Sequence, residues 1–149
     1  MRCYPPILFY GLLAVGFLIH AWRPIPLVGE GALPFVRWTG LALVFGGPVL
    51  SLIAIRQFRR AGTSMFPNEP AAALVTSGPY RWSRNPMYIG ATVNCVGIAV
   101  FANALAPLVS VAVAFALVHP LIVGPEELHL EARFGDAYRA YRARVRRWF

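Results

Sequence analysis

From Gly78 the chain reads Gly78-Pro79-Tyr80-Arg81-Trp82-Ser83-Arg84-Asn85-Pro86-Met87-Tyr88-Ile89-Gly90, which sets two arginines and three aromatics around a helix start. Gly78-Pro79 forces a turn. Asn85-Pro86 opens a helix, because Asn caps free amides and Pro at the first position loses no hydrogen bond. A helix amino terminus favours anions such as a carboxylate. A second polar pair, Glu126-Glu127, follows Gly124-Pro125 after a long apolar run. The helix dipole accounts for one first-turn glutamate. Two adjacent carboxylates beside apolar sequence must pair or meet water. Facing Arg81 and Arg84, they would form salt bridges, or bind an amine and ribose hydroxyls. The plainer reading of the same residues is an aromatic belt over a positive-inside signal.

What must position these clusters is apolar helix. In 149 residues, 58% are hydrophobic, too many for a soluble domain of this size. Crossing the hydrocarbon takes about 20 residues of helix, and the sequence predicts four spans, at 4–22, 34–55, 86–103 and 105–123. Only Ala102-Asn103-Ala104 separates the last two, so they form a hairpin whose turn faces away from both polar clusters. Pro48 and Pro107 lie within spans, where neighbouring helices satisfy the freed carbonyls. The stretch Gln57–Ser77, with Gly62, Pro67 and Pro70, reads as a structured loop. The first span is read as retained rather than as a cleaved signal.

Arginines follow the second span (Arg56, Arg59, Arg60, Arg81, Arg84) and the fourth (Arg133, Arg139, Arg142, Arg144, Arg146, Arg147), while the hairpin turn has none. Both termini are therefore expected in the cytoplasm, with 23–33 outside. From Glu126 to about Arg147 an amphipathic helix is predicted to lie on the membrane surface, with Leu128, Phe134, Tyr138, Tyr141 and Val145 on its apolar side. The net charge of +8 sits in short segments between apolar runs, which does not make a nucleic-acid-binding face. Cys3 and Cys95, with His20, His119 and His129, have no metal-ligand spacing. Motifs of dinucleotide, P-loop and serine-hydrolase sites are absent from the sequence.

The run Leu74-Val75-Thr76-Ser77 leading into Gly78–Gly90, then Glu126-Glu127, then Phe134-Gly135-Asp136-Ala137-Tyr138-Arg139-Ala140-Tyr141, resembles the isoprenylcysteine carboxyl methyltransferase and phospholipid methyltransferase group. The resemblance implies a membrane enzyme that uses S-adenosylmethionine without a Rossmann domain. It implies a cytoplasm-facing cofactor pocket made by the segment from Ala72 through Ala73, Leu74 and Val75, by Tyr80, by Asn85, Pro86, Met87 and Tyr88, and by Glu126. Arg84 and Glu127 would carry the catalytic roles, Glu127 as orienting or proton-accepting carboxylate. A lipophilic acceptor would reach the site sideways from the bilayer. Many members have His where this chain has Asn85. Carboxyl-methylating members carry an arginine where this chain has Ile122, which argues against prenylcysteine as acceptor.

The expectation is thus one membrane-embedded, all-α methyltransferase domain over 1–149 in a bacterial inner membrane, with no metal and no nucleic-acid partner. The competing readings are an NADPH-dependent lipid or sterol reductase, and a scaffold or small transporter in which Arg84 and Glu126 merely pair.

Overall fold

The computed structural model describes residues 5–63 and 72–148, and the described residues are all-helical apart from one isolated bridge between Pro26 and Ala104. Cys3, the Tyr4 start of the first predicted span, and Pro67 and Pro70 lie outside them. The helices are α1 (Pro5–Trp22), α2 (Leu33–Arg60), α3 (Pro86–Phe101), α4 (Leu105–Val118), α5 (Gly124–Phe134) and α6 (Asp136–Arg144). Among the described residues two helices are long and apolar enough to cross a membrane: Glu30–Arg60, and Leu105–Phe134, in which α4 runs into α5. The shorter apolar helices are Pro6–Trp22 and Pro86–Phe101.

Three boundaries depart from expectation. The second helix continues to Arg60, because Arg56 to Arg60 are good helix formers and its last-turn arginines suit the dipole; it ends at Ala61-Gly62, where Gly62 takes φ 62°. Gly124-Pro125 does not end the fourth helix. A π turn over His119–Val123 carries it through, with the Gly124 amide bonded to the His119 carbonyl. Pro120 and Pro125 have no amide to give, so the ordinary ladder is already broken here and the wider turn costs little. The single helix expected over 126–147 is two, split at Gly135, whose φ of 51° and ψ of −122° suit a residue without a side chain.

Helix α3 packs against α2, α4 and α1, and α1 also lies on α4. The α2–α3 contact is close because glycines remove the side chains between the backbones: a Cβ at Gly47 would overlap Gly90 and Asn94, and one at Gly90 would overlap Gly47 and Ser51. Pro48 cannot donate to the Val44 carbonyl four residues back, and Asn94 Nδ2 on α3 takes that carbonyl at 2.8 Å. Its Oδ1 accepts the Tyr10 hydroxyl at 2.9 Å, so one asparagine ties α1, α2 and α3 together.

At one end of the bundle, Asn103 Oδ1 accepts the amides of Leu27 and Val28, and Leu105 donates to the Ile25 carbonyl at 3.0 Å. The 23–33 loop and the hairpin turn are thereby clasped together. Both polar clusters lie at the other end.

Candidate functional site

At that second end the 72–85 segment is folded over the helices by side-chain bonds. Buried Thr63 accepts the Ala72 amide through Oγ1 at 2.8 Å, and Ser77 donates to Gln57 Oε1 on α2 at 3.1 Å. Val75 and Tyr80 then pack on Ala54, with Phe58 edge-on to the Tyr80 ring at 5.5 Å. Gly78 takes φ 60° against the Gln57 side chain, as the expected turn requires.

The result is a cavity of about 510 Å³. Ala73, Leu74, Val75 and Tyr80 form one wall; Arg84, Asn85, Met87 and Tyr88 form the next; Glu126 and Glu127 come from α5. Pro86 is fully buried at the first position of α3 and does not line the cavity. Pro6, Phe9 and Tyr10 of α1 and Pro48, Leu52 and Ile55 of α2 complete the lining and make that part of the cavity mainly apolar. Arg81 is exposed and outside it. Asn85 does not cap α3 with its side chain; Nδ2 donates instead to the Arg147 carbonyl at 3.1 Å, and the backbone carbonyl of Asn85 receives the Tyr88 and Ile89 amides.

The two glutamates have different surroundings. Glu127, 8% exposed, meets Arg84 Nη1 at 2.9 Å through Oε1, and receives Arg147 Nε on Oε1 at 3.0 Å and Nη2 on Oε2 at 2.8 Å. Arg84 also donates to the Tyr138 hydroxyl at 3.2 Å. Burial disfavours the Glu127 charge, but the Arg147 hydrogen bonds and the Arg84 charge outweigh it and hold this carboxyl below the usual range. Glu126, beyond the apolar stretch of its helix, accepts the Tyr88 hydroxyl at 2.9 Å and opens onto the cavity. Crowding by the surrounding chain raises its pKa, the Tyr88 bond lowers it, and the Glu127 charge raises it. Burial, then the Glu126 charge, pushes Tyr80 up, so its ring stays neutral.

Sequence reasoning missed Tyr138, Tyr141 and Arg147. Tyr141 donates to the Tyr80 carbonyl at 2.7 Å, and both tyrosines line the cavity. Their i, i+3 spacing on α6 was legible as an apolar face, but what that face covers depends on the Gly135 break. Ile122 is buried one turn before Glu126, where it adds apolar surface and no charge.

A model of the phospholipid methyltransferase family matches residues 35–137, over two thirds of the chain. Among curated proteins, the cobalt-zinc-cadmium resistance protein CzcN of Cupriavidus metallidurans is 35% identical over 63 residues, 42% of this chain and 29% of that protein. The nickel-cobalt-cadmium resistance protein NccN of Alcaligenes xylosoxydans xylosoxydans is 33% identical over 76 residues, 51% of this chain and 35% of that protein. The matches thus span about a third of the length of these relatives. No solved structure matches the chain.

Proposed function

Because the chain belongs to the phospholipid methyltransferase family, we propose that it moves a methyl group from S-adenosylmethionine to a lipophilic acceptor at the cytoplasmic face of a bacterial inner membrane. The observation that carries this is one cavity lined both by a polar group of Glu126, Glu127, Arg84, Tyr80, Tyr88, Tyr138 and Tyr141 and by apolar side chains of α1 and α2. The donor set fits the cofactor: Tyr80 and Tyr88 offer aromatic faces to a planar base or a sulfonium, and Glu126 offers an acceptor for an amine or ribose hydroxyls. When bound, the cofactor supplies an electrophilic methyl group.

The chain's own task is then to align and to exclude water. Ala73, Leu74, Val75 and Met87 close the cavity with apolar surface, and buried Asn85 and Pro86 fix the start of α3 so that Tyr88 points at Glu126. Arg84 and Glu127 hold each other, so Glu127 acts as an orienting carboxylate; a carboxyl kept this acidic is a poor proton acceptor. A carboxylate acceptor needs no base, whereas an ammonium must first lose a proton to water or to Glu126. The apolar lining supplied by α1 and α2 takes the acceptor's hydrocarbon. Arg84 pairs with Glu127 and not with Glu126, which leaves Glu126 available to a ligand, unlike the arrangement of a plain scaffold. Among the described residues no group of three or more His, Cys, Asp or Glu could hold a metal ion.

Calorimetric titration of the purified protein with S-adenosylhomocysteine and with NADPH tests the reading. Binding of the first alone is expected, and Glu126→Ala should abolish it while the protein stays in the membrane. Binding of NADPH alone would favour a reductase, and binding of neither a scaffold.

A further inference from the structure

The matched family region stops at residue 137, yet the chain beyond it returns to the cavity. After α6 ends at Arg144, residues 145–148 leave the helix and run under the 83–85 segment. The backbone does much of the joining. The Arg84 amide donates to the Arg146 carbonyl at 3.0 Å, Ser83 Oγ to the Arg147 carbonyl at 3.0 Å, and Asn85 Nδ2 to the same carbonyl at 3.1 Å. Trp148 anchors the far side, its ring 4.8 Å from Phe115 and packed against the core of α1, α3 and α4. Between these tethers the Arg147 side chain turns in and grips Glu127 with two hydrogen bonds.

We propose that Arg147 is a positioning residue for the cavity: it fixes Glu127, and through Glu127 the guanidinium of Arg84, in the wall that meets the cofactor. The chemistry favours this over a chance surface pair. With Arg84 as its lone partner only Oε1 of this buried carboxylate would be paired, leaving the carboxylate plane free to turn about that one contact. The planar fork of a second arginine removes that freedom by engaging both oxygens at once. Arg147 is itself only a third exposed, so the pair is shielded from salt more than one on the surface. The peptide carbonyls that hold Ser83, Arg84 and Asn85 come from the same two residues, so the tail sets both ends of the Arg84–Glu127 pair together.

This inference rests on the cofactor reading above, and the experiment separates the two. The probe is S-adenosylhomocysteine, titrated by calorimetry into full-length wild type, Arg147→Ala, Arg147→Lys, Glu127→Gln and the Arg147→Ala/Glu127→Gln double variant. Arg147→Ala is expected to weaken binding about tenfold, the scale of lost hydrogen bonds to a charged group. Arg147→Lys should recover part of it, since an ammonium restores charge but not the fork. In the Glu127→Gln background the Arg147→Ala change should add less than about twofold, because its effect is transmitted through Glu127. If Arg147→Ala fails to fold, Arg147→Lys and the cycle built on it carry the test. Wild-type binding with Arg147→Ala and Arg147→Lys within twofold of it overturns the proposal alone, and so does a full, additive loss in the Glu127→Gln background. Absence of wild-type binding overturns the cofactor reading, and this inference falls with it.

Discussion

At the scale of single residues, the site is set by how two neighbouring carboxylates are divided. Glu126 and Glu127 are adjacent in sequence, but the helix turns them to different partners: Tyr88 for the first, Arg84 and Arg147 for the second. The difference has a consequence for stability. The folded state holds Glu127 below its unfolded pKa, so its contribution is complete above that unfolded value, roughly 4.3, and is lost as pH falls through the depressed folded one. Wild-type melting temperature in detergent should therefore drop as pH is lowered from 5 to about 3, and the drop should be smaller in Glu127→Gln. Equal slopes in the two proteins would show that Glu127 is not held by its arginines. At neutral pH, Glu127→Ala should cost about 3 kcal/mol, because it leaves Arg84 buried and unpaired. Much of this was legible beforehand: Tyr80, Arg84, Asn85, Tyr88 and the glutamate pair stand out because aromatic, cationic and acidic residues are conspicuous in apolar sequence. Arg147 was not, since among six arginines of one tail nothing local distinguishes the one that folds inward.

At the scale of elements, the helices follow from apolar length, and what positions the site follows from their exceptions. The starts of α3 and α4 and the hairpin turn were readable because Pro86 and Asn103 punctuate long apolar runs. The π turn and the Gly135 break were not, because both depend on which backbone bonds the rest of the fold makes available. These exceptions direct side chains: the π turn inserts an extra residue ahead of Glu126 and Glu127, and the break swings Tyr138 and Tyr141 back over Tyr80 and Arg84. The α2–α3 contact is the frame for both. Gly90→Leu should separate these helices, because its side chain would meet Gly47 and Ser51, and should destabilise the protein by about 1–3 kcal/mol or more. Asn94→Leu should cost about 1–3 kcal/mol by leaving the Val44 carbonyl, already denied a partner by Pro48, with none. Thermal unfolding in detergent, followed by circular dichroism, measures both. An unchanged Asn94→Leu variant would mean that another donor serves Val44.

At the scale of the whole molecule, the bundle has two chemically different ends, and the proposed function needs them on opposite sides of a bilayer. One end carries the clasp of Asn103 with Leu27 and Val28, together with exposed Trp22 and Trp38; the other carries the cavity, the arginine-rich tail and exposed Trp82. Helix α3 joins them with 16 residues, a rise of about 24 Å, which is short against a hydrocarbon core of about 30 Å. In the proposed placement the exposed indole groups of Trp22, Trp38 and Trp82 extend the match at headgroup level. In the proposed function the cavity end faces the cytoplasm, where a donor reaches it from water, and the acceptor enters from the lipid past the apolar lining that α1 and α2 supply. Single cysteines test this placement. In a chain with Cys3 and buried Cys95 replaced by Ser and Ala, Ala102→Cys should react with a membrane-impermeant maleimide in intact spheroplasts. Arg81→Cys, exposed at the cavity end, should react only after permeabilisation. The reverse pattern would turn the protein over and put the cavity out of reach of a cytoplasmic cofactor. Labelling of both positions in intact spheroplasts would mean that α3 does not cross the bilayer at all.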